Sequence, residues 1–231
     1  MKHHPIIVLI ALTSLSDFAS ADQSPIQQTL KQHTEIRYSR EFKGLYLSLN
    51  IYHKGKHVIT LHGDIESGGA FKREEPPRTS PNNHYIYISQ VEAAEVETPN
   101  GPKTSERTYC SLVDVRNGCI IARETGSFCG GTFTKDGKWE NSLYPNLDLV
   151  TTAPKISAYS DGRLMPTGSP EASIENLIAC DPPNDTNMKD YKSSLKKNIF
   201  NLSIKQRNEL LKNLKERHEA TTTGDLTNKS S

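Results

Sequence analysis

The stretch that decides the fold runs from Tyr109 to Trp139 and reads YCSLVDVRNGCIIARETGSFCGGTFTKDGKW. Apolar runs separated by turn segments that contain Asn-Gly, Thr-Gly and Asp-Gly are typical of antiparallel strands with short connections. The stretch therefore predicts a meander with strands at Arg107–Val115, Ile120–Arg123 and Phe128–Thr134. It holds three of the four cysteines and the only tryptophan, so we expect the rest of the chain to be organised around it.

A hairpin is predicted upstream of the meander. Over Leu45–His53, apolar residues alternate with tyrosine and polar residues, which is the period-two pattern of a half-buried strand. Lys54-Gly55-Lys56 then turns the chain, and a three-residue loop places both apolar sets on one side of the sheet. The predicted register pairs Ile51 with Ile59 and Leu49 with Leu61. Two further short strands are expected at Leu147–Thr151 and Lys155–Tyr159.

Helix signals appear near both ends of the chain. Ser24-Pro25-Ile26-Gln27 has the order of an N-cap, a first-turn proline and a capping-box glutamine, so we expect a short helix to Gln32. Start signals and apolar stripes indicate three more helices, at 169–180, at 188–199 and after Ser203, which forms a capping box with Gln206. The predicted inner stripe of the last helix consists of Ile204, Leu210, Leu211 and Leu214.

These elements predict an α+β fold, with a mainly antiparallel β-sheet of hairpins and a cysteine-bearing meander followed by C-terminal helices. We expect a signal peptide over residues 1–21 and a single α+β domain over 22–220. This domain is predicted to be β-rich over 36–160 and helical over 169–219. Residues 221–231 are polar and repetitive, which favours a disordered tail.

The first segment has the composition of a signal peptide. Met1-Lys2 precedes an apolar run from Ile6 to Leu15, and Ala19-Ser20-Ala21 has the small-x-small pattern at which signal peptidases cut. A run of about ten residues is too short to cross a bilayer of about 30 Å as a helix. We therefore expect an exported protein, periplasmic or secreted, without a transmembrane segment. A buried N-terminal helix is the alternative.

Export changes what the four cysteines indicate. They form no C-x-x-C pair, and in an oxidising compartment an even number favours two disulfides over a zinc site. A two-residue turn at Asn117-Gly118 would separate Cys110 from Cys119 by about 20 Å. A disulfide requires Cα atoms within about 7 Å, so this pair is excluded. Of the remaining pairings we favour Cys119–Cys129 and Cys110–Cys180.

The charge composition limits the classes of partner that the sequence supports. The formal net charge is +1 over 231 residues, so no global excess of basic charge indicates nucleic acid or an acidic membrane. Charge is uneven, because residues 187–231 contain ten Lys or Arg against five Asp or Glu. We interpret the basic helices as solvated outer faces. Docking to an acidic partner or to anionic lipid is the alternative.

Motifs of common catalytic chemistries are absent from the sequence. It contains no H-E-x-x-H, no P-loop and no G-x-G-x-x-G. The order Gly126-Ser127-Phe128-Cys129-Gly130 places its serine wrongly for a G-x-S-x-G nucleophile elbow. His62 and Asp64 are a candidate general base and its orienting carboxylate. They stand at the start of Gly63–Asn83, which we expect to be a long exposed loop with a functional role.

Two further groups are candidate binding residues. In the predicted hairpin register, His53 and His57 face each other and are candidate metal ligands. Two ligands do not make a tight site, so we predict neither a metal nor another cofactor. Tyrosines on predicted strands would form a solvent-facing surface for a partner protein, since interfaces are enriched in Tyr; packing beneath the helices is the alternative. These tyrosines are Tyr46, Tyr52, Tyr85 and Tyr87.

The sequence thus favours an exported, disulfide-containing binding protein whose partner is another protein. A periplasmic inhibitor and a toxin-neutralising, immunity-type protein are concrete versions of this hypothesis. The alternative is a secreted or periplasmic hydrolase with a site near the 62–83 loop. A third hypothesis is an envelope component that uses the basic helices. No nucleic-acid partner is expected.

Overall fold

The structure, a computed structural model, describes residues 25–30, 33–63, 69–99, 101–166 and 170–214. These residues form an eight-stranded antiparallel sheet followed by helices, which confirms the predicted α+β fold. The predicted signal peptide and the predicted tail lie outside the described residues, so both stay predictions.

The strands and helices of the described chain have the following bounds. The strands are β1 Ile26–Leu30, β2 Thr34–Phe42, β3 Leu45–His53, β4 Lys56–His62, β5 Ala70–Lys72, β6 Tyr85–Thr98, β7 Gly101–Asp114, β8 Ile120–Thr125, β9 Thr132–Phe133 and β10 Trp139–Glu140. A 3-10 helix occupies Gly126–Gly130. The α-helices are α1 Leu149–Thr152, α2 Ile156–Ser160, α3 Pro170–Cys180, α4 Met188–Lys196 and α5 204–214.

The large sheet has the strand order β1-β2-β3-β5-β6-β7-β8. Two strands share one edge of β3, because β4 pairs with its Ser48–His53 part and β5 pairs at Tyr46. Strands β9 and β10 form a separate two-stranded sheet. The predicted apolar register of the β3–β4 hairpin is confirmed, since Leu49 pairs with Leu61 and Ile51 pairs with Ile59.

Strands β6 and β7 bury side chains on both faces. One face contributes Ile86, Ile88 and Val113 to a cluster with β1–β4. The other face contributes Tyr87 and Leu112 to a second cluster, which lies around Trp139 and the 3-10 helix. A third cluster joins the helices, and its largest fully buried members are Ile156, Leu177, Tyr191, Leu195, Phe200 and Leu214.

Trp139 is the centre of the second cluster. Its ring is fully buried, stacks on Tyr87 at 5.7 Å between centroids, and donates from Nε1 to the Phe128 carbonyl at 3.2 Å. Arg78 lies over the same tyrosine ring, 3.2 Å from its centroid, and donates to the Cys129 carbonyl at 3.0 Å. The segment that carries Arg78 is thereby fixed to the 3-10 helix.

This arrangement corrects the prediction that Gly63–Asn83 is one long exposed loop. The segment contains β5, whose Ala70 and Phe71 are buried, and the Arg78 contacts described above. Ser80 is also buried, and its hydroxyl accepts a hydrogen bond from the Tyr85 amide at 3.0 Å. Residues 64–68 lie outside the described residues.

All four cysteines form disulfides, as predicted, but the predicted pairing is wrong. The structure joins Cys110 to Cys129, with Cα atoms 5.5 Å apart, and Cys119 to Cys180, at 4.7 Å. The β7–β8 connection is wider than a two-residue turn, because the Asp114 amide donates to the Cys119 carbonyl. The expected strand at Phe128–Thr134 is mostly a 3-10 helix, which brings Cys129 back over Cys110.

Three other local predictions are wrong. The helix expected over Ser24–Gln32 is strand β1 in its described part. Ile26 and Leu30 are four residues apart, a spacing that fits one helix face and equally one strand face, and pairing with β2 decides the outcome. The strands expected at Leu147–Thr151 and Lys155–Tyr159 are α1 and α2, the first capped by Asp148.

The three C-terminal helices are confirmed at α3, α4 and α5. The predicted capping box of α5 forms, since the Ser203 amide donates to Gln206 Oε1 at 2.8 Å. Its predicted inner stripe is only half right. Leu214 is buried and Leu210 packs against the third cluster, whereas Ile204 is 70% exposed and Leu211 is 36% exposed.

Helix α3 is attached to the outer strand β8 by a side-chain amide and by a disulfide. Asn176 accepts from the Ile120 amide at 2.7 Å and donates to the Ile120 carbonyl at 3.0 Å, as a neighbouring strand would. The Cys119–Cys180 bond lies beside this contact in the chain. Helix α3 is therefore joined to β8 both by hydrogen bonds and by a covalent bond.

We expect the two disulfides to stabilise the fold unequally. Loop-closure entropy predicts a contribution of about 4 kcal/mol for Cys119–Cys180, which spans 61 residues, and about 3 kcal/mol for Cys110–Cys129, which spans 19. Urea unfolding of the two double Cys→Ser variants measures both contributions. Non-reducing peptide mapping checks the pairing independently, and a Cys119–Cys129 peptide would contradict it.

Replacing Gly131 with Ala should destabilise the protein by about 1–3 kcal/mol, because the added methyl group overpacks the second cluster. A Cβ at Gly131 would lie 2.6 Å from Trp139 Cε2 and 2.7 Å from the Glu140 carbonyl oxygen. Gly130→Ala is the matched control, since its Cβ would have no neighbour within 4 Å. Urea titration followed by the fluorescence of Trp139 gives both values, and equal values would contradict the prediction.

Candidate functional site

The longest projection from the described fold is formed by the distal halves of β6 and β7. Their ladder runs without a register shift from Tyr85↔Asp114 to Thr98↔Gly101. Strand β5 last pairs with β6 at Val91, and β8 last pairs with β7 at Tyr109. Beyond these points, 92–98 and 101–107 pair only with each other among the described strands. We call these two segments the ribbon.

The ribbon is long and exposed. Its seven residue pairs extend it by about 23 Å at about 3.3 Å per residue. On β7, every residue from Pro102 to Thr108 is exposed, and on β6 Val96 exposes 47% of its surface. A two-stranded hairpin of this kind is at best marginally stable alone in water. The ribbon therefore depends on the sheet at its root for its regular structure. Its exposure favours a role in contacting another molecule.

The root of the ribbon is held by a charged group on β8. Arg123 donates to Glu92 at 2.8 Å and to Gln90 at 3.2 Å, and its guanidinium lies 5.0 Å from the centroid of the Tyr109 ring. These groups are partly exposed, so the ion pair contributes about 1 kcal/mol or less. Its main effect is to fix the first ribbon pair, Glu92↔Arg107, beside the sheet.

The tyrosine surface predicted from the sequence does not form. Tyr46, Tyr85 and Tyr87 are all buried in the first two clusters. Only Tyr52 is partly accessible, and its ring lies against Arg37, at 4.3 Å, and His57, at 5.4 Å. The exposed surface of these strands is therefore not the aromatic interface that the sequence favoured.

The histidine pair is also arranged differently from the prediction. A register shift follows Ile51, so His57 pairs with Tyr52 and His53 pairs with Lys56. The two histidines therefore lie on opposite faces of the hairpin. His53 Nδ1 lies 2.8 Å from Thr34 Oγ1, and His57 Nε2 lies 2.8 Å from Thr60 Oγ1. Within the described ranges, no group of three or more His, Cys, Asp or Glu is placed to hold a metal.

The catalytic candidates are not tested by the structure. His62 is exposed at the end of β4, where it pairs with Ser48. Asp64 lies outside the described residues. The hydrolase hypothesis stays a prediction.

The ribbon was missed by sequence reasoning, although one local signal marks its tip. Asn100-Gly101 is a strong hairpin signal, and Gly101 adopts a φ of +99°. The surrounding residues are polar and resemble a loop, because Pro102–Thr108 is exposed on both faces of its strand. A strand without a buried face lacks the alternation from which strands are predicted.

Across the described ranges, no helix has both the length and the apolar composition needed to cross a membrane. No protein-family model, curated protein or solved structure matches this chain.

The environment of His53 predicts a dependence of stability on pH. Burial, then Lys54, then the neighbouring His84 lower the pKa of His53; Asp114 opposes them, and Arg116 lowers it further. Because the folded state binds this proton less well than the unfolded state, stability is complete above the ordinary pKa of about 6.5 and is lost as the pH falls through it.

We therefore expect the free energy of unfolding to fall between pH 7.5 and pH 5, and to fall less in His53→Asn. The Asn amide keeps a polar partner for Thr34 but does not titrate. Urea unfolding at a series of pH values measures both slopes, and identical slopes would contradict the assignment to His53.

Proposed function

We propose that this chain is an exported binding protein whose partner is another protein, and that the ribbon is its interaction element. The observation that carries the proposal is the ribbon itself, a regular two-stranded extension whose exposed residues gain little stability from the fold. A periplasmic inhibitor or a toxin-neutralising, immunity-type protein is the concrete form we favour.

Export is supported by two independent observations. The four cysteines are all paired in disulfides, and such bonds persist in oxidising compartments. The first 21 residues have the charge, apolar run and small-x-small site of a signal peptide.

The ribbon is also suited to recognition by its construction. Its root lies on the sheet that holds Cys110–Cys129 and the Arg123–Glu92 ion pair, so its base is fixed. Its outer residues combine an exposed apolar side chain, Val96, with charged ones such as Lys103 and Glu106. A fixed base lowers the conformational entropy that a binding element loses when it meets its partner.

Shortening the ribbon should abolish partner binding and leave the fold intact. Replacing Ala93–Glu106 with Asn-Gly keeps the Glu92↔Arg107 pair and its contact with Arg123. The Glu92↔Arg107 pair lies an even number of residues from the natural closing pair Thr98↔Gly101, so both pairs have the same hydrogen-bonding arrangement. Glu92↔Arg107 can therefore close a two-residue turn in the same way.

The measurement is affinity isolation from the native cells or medium, analysed by mass spectrometry. The full-length ribbon should retain a stoichiometric protein, and the shortened ribbon should lose at least nine tenths of it with an unchanged unfolding midpoint. Val150→Ala is the control, since Val150 is 68% exposed and lies on α1. Retention by the shortened chain would refute the proposal, as would isolation of the full-length chain alone.

A further inference from the structure

We propose that the outer edge of β6, from Ala93 to the ribbon tip, binds an extended basic strand of the partner protein by β-sheet addition. This inference rests on the proposed function of the ribbon and names the chemistry of the partner segment.

The hydrogen bonds at the root of β6 show which of its residues direct their backbone N–H and C=O groups away from β7. The Tyr87 amide donates to the Arg78 carbonyl at 3.0 Å, and the Tyr85 carbonyl accepts from the Ser80 amide at 2.9 Å. Both groups point away from β7. In an antiparallel ladder this direction alternates from residue to residue, and the ladder has no register shift up to Thr98. The odd-numbered residues of β6, including Ala93, therefore direct N–H and C=O groups outward.

The outer edge of β6 is covered at its root, and in the ribbon no described residue pairs with it. The 78–80 segment covers Tyr85 and Tyr87. Strand β5 covers the next two odd positions, where Lys72 pairs with Ser89 and Ala70 pairs with Val91. From Ala93 onward, no described strand pairs with this edge.

The outer edge of β7 is protected in a way that the β6 edge is not. The residues of β7 whose backbone groups point outward are those that pair with the odd-numbered residues of β6. Among them, Pro102 lies nearest the tip of the ribbon. Proline has no N–H and is a common device against strand addition at a sheet edge, as is the lysine that follows it, Lys103. The sequence of β6 from Glu92 to Thr98 contains no proline and no lysine.

The charge of the β6 segment indicates the charge of its partner. Glu92 is already paired with Arg123, and from Ala93 to Thr98 the sequence has two further glutamates and neither Lys nor Arg. Opposite charges on neighbouring strands are favourable and like charges are unfavourable. A basic strand with alternating small or apolar residues therefore fits this edge, whereas an acidic strand does not.

The first test uses two synthetic peptides, acetyl-Thr-Lys-Val-Lys-Val-Lys-Thr-amide and its Lys→Glu counterpart, with the full chain in its disulfide-bonded form. Binding of the basic peptide should slow hydrogen exchange at the Ala93 amide and leave the Glu106 amide, on the opposite edge, unchanged. The acidic peptide should bind at least tenfold more weakly. Equal binding of the two peptides, or protection at Glu106 instead, would overturn the inference.

Two matched variants test the edge itself. Ala93 and Glu106 face each other in the ladder, so each of their amides points outward. Ala93→Pro and Glu106→Pro therefore each remove one outward N–H and no ladder bond. Ala93→Pro should weaken binding of the basic peptide at least tenfold, and Glu106→Pro should change it less than twofold. Equal effects would overturn the inference, and circular dichroism checks that both variants fold.

The same variants separate this inference from the proposed function. If the isolated native partner is lost on ribbon shortening but retained by Ala93→Pro, the edge inference is wrong and the proposed function stands. If the shortened ribbon retains the partner, the proposed function fails. Sedimentation of the chain alone tests a second copy as the occupant, and a dimer that Ala93→Pro dissociates would overturn the assignment to a basic partner strand.

Discussion

The fold depends on one constraint, which is that the β6–β7 ladder is buried on both faces at its root. Ile86 and Val113 face the cluster of β1–β4, while Tyr87 and Leu112 face the cluster of Trp139. Both layers of the protein therefore pack on the same two strands. Because that root is held from two sides, the same strands can continue outward as a ribbon that has little packing of its own.

The contacts that surround this root are mostly made by loops and single side chains. Arg78 connects the segment before β6 to the 3-10 helix, and Asn176 connects α3 to the edge of β8. Two disulfides stand beside these contacts. The β6–β7 ladder runs beyond these contacts, and there the outer edge of β6 has no described strand paired with it.

Local sequence information predicted the elements whose causes are local. The Leu49↔Leu61 register depends on one short turn between adjacent strands, and the Ser203 capping box depends on residues three positions apart; both are confirmed. The disulfide pairing depends on the width of one turn and on a 3-10 helix, which the Asn117-Gly118 signal did not reveal. Whether Tyr87 is exposed depends on which distant segment covers it, and here Arg78 and Trp139 do so.

The Cys119–Cys180 bond closes a covalent loop around β8, the 3-10 helix, β9, β10 and the first three α-helices. A protease that cuts any single peptide bond inside this loop leaves the two fragments joined as one molecule. The sheet and the terminal helices cannot diffuse apart after such a nick, so the intact clusters can hold the cut chain in place. A cut in a surface segment such as 141–147 therefore adds one water to the molecule, and two separate fragments appear on a denaturing gel only when the disulfide is reduced.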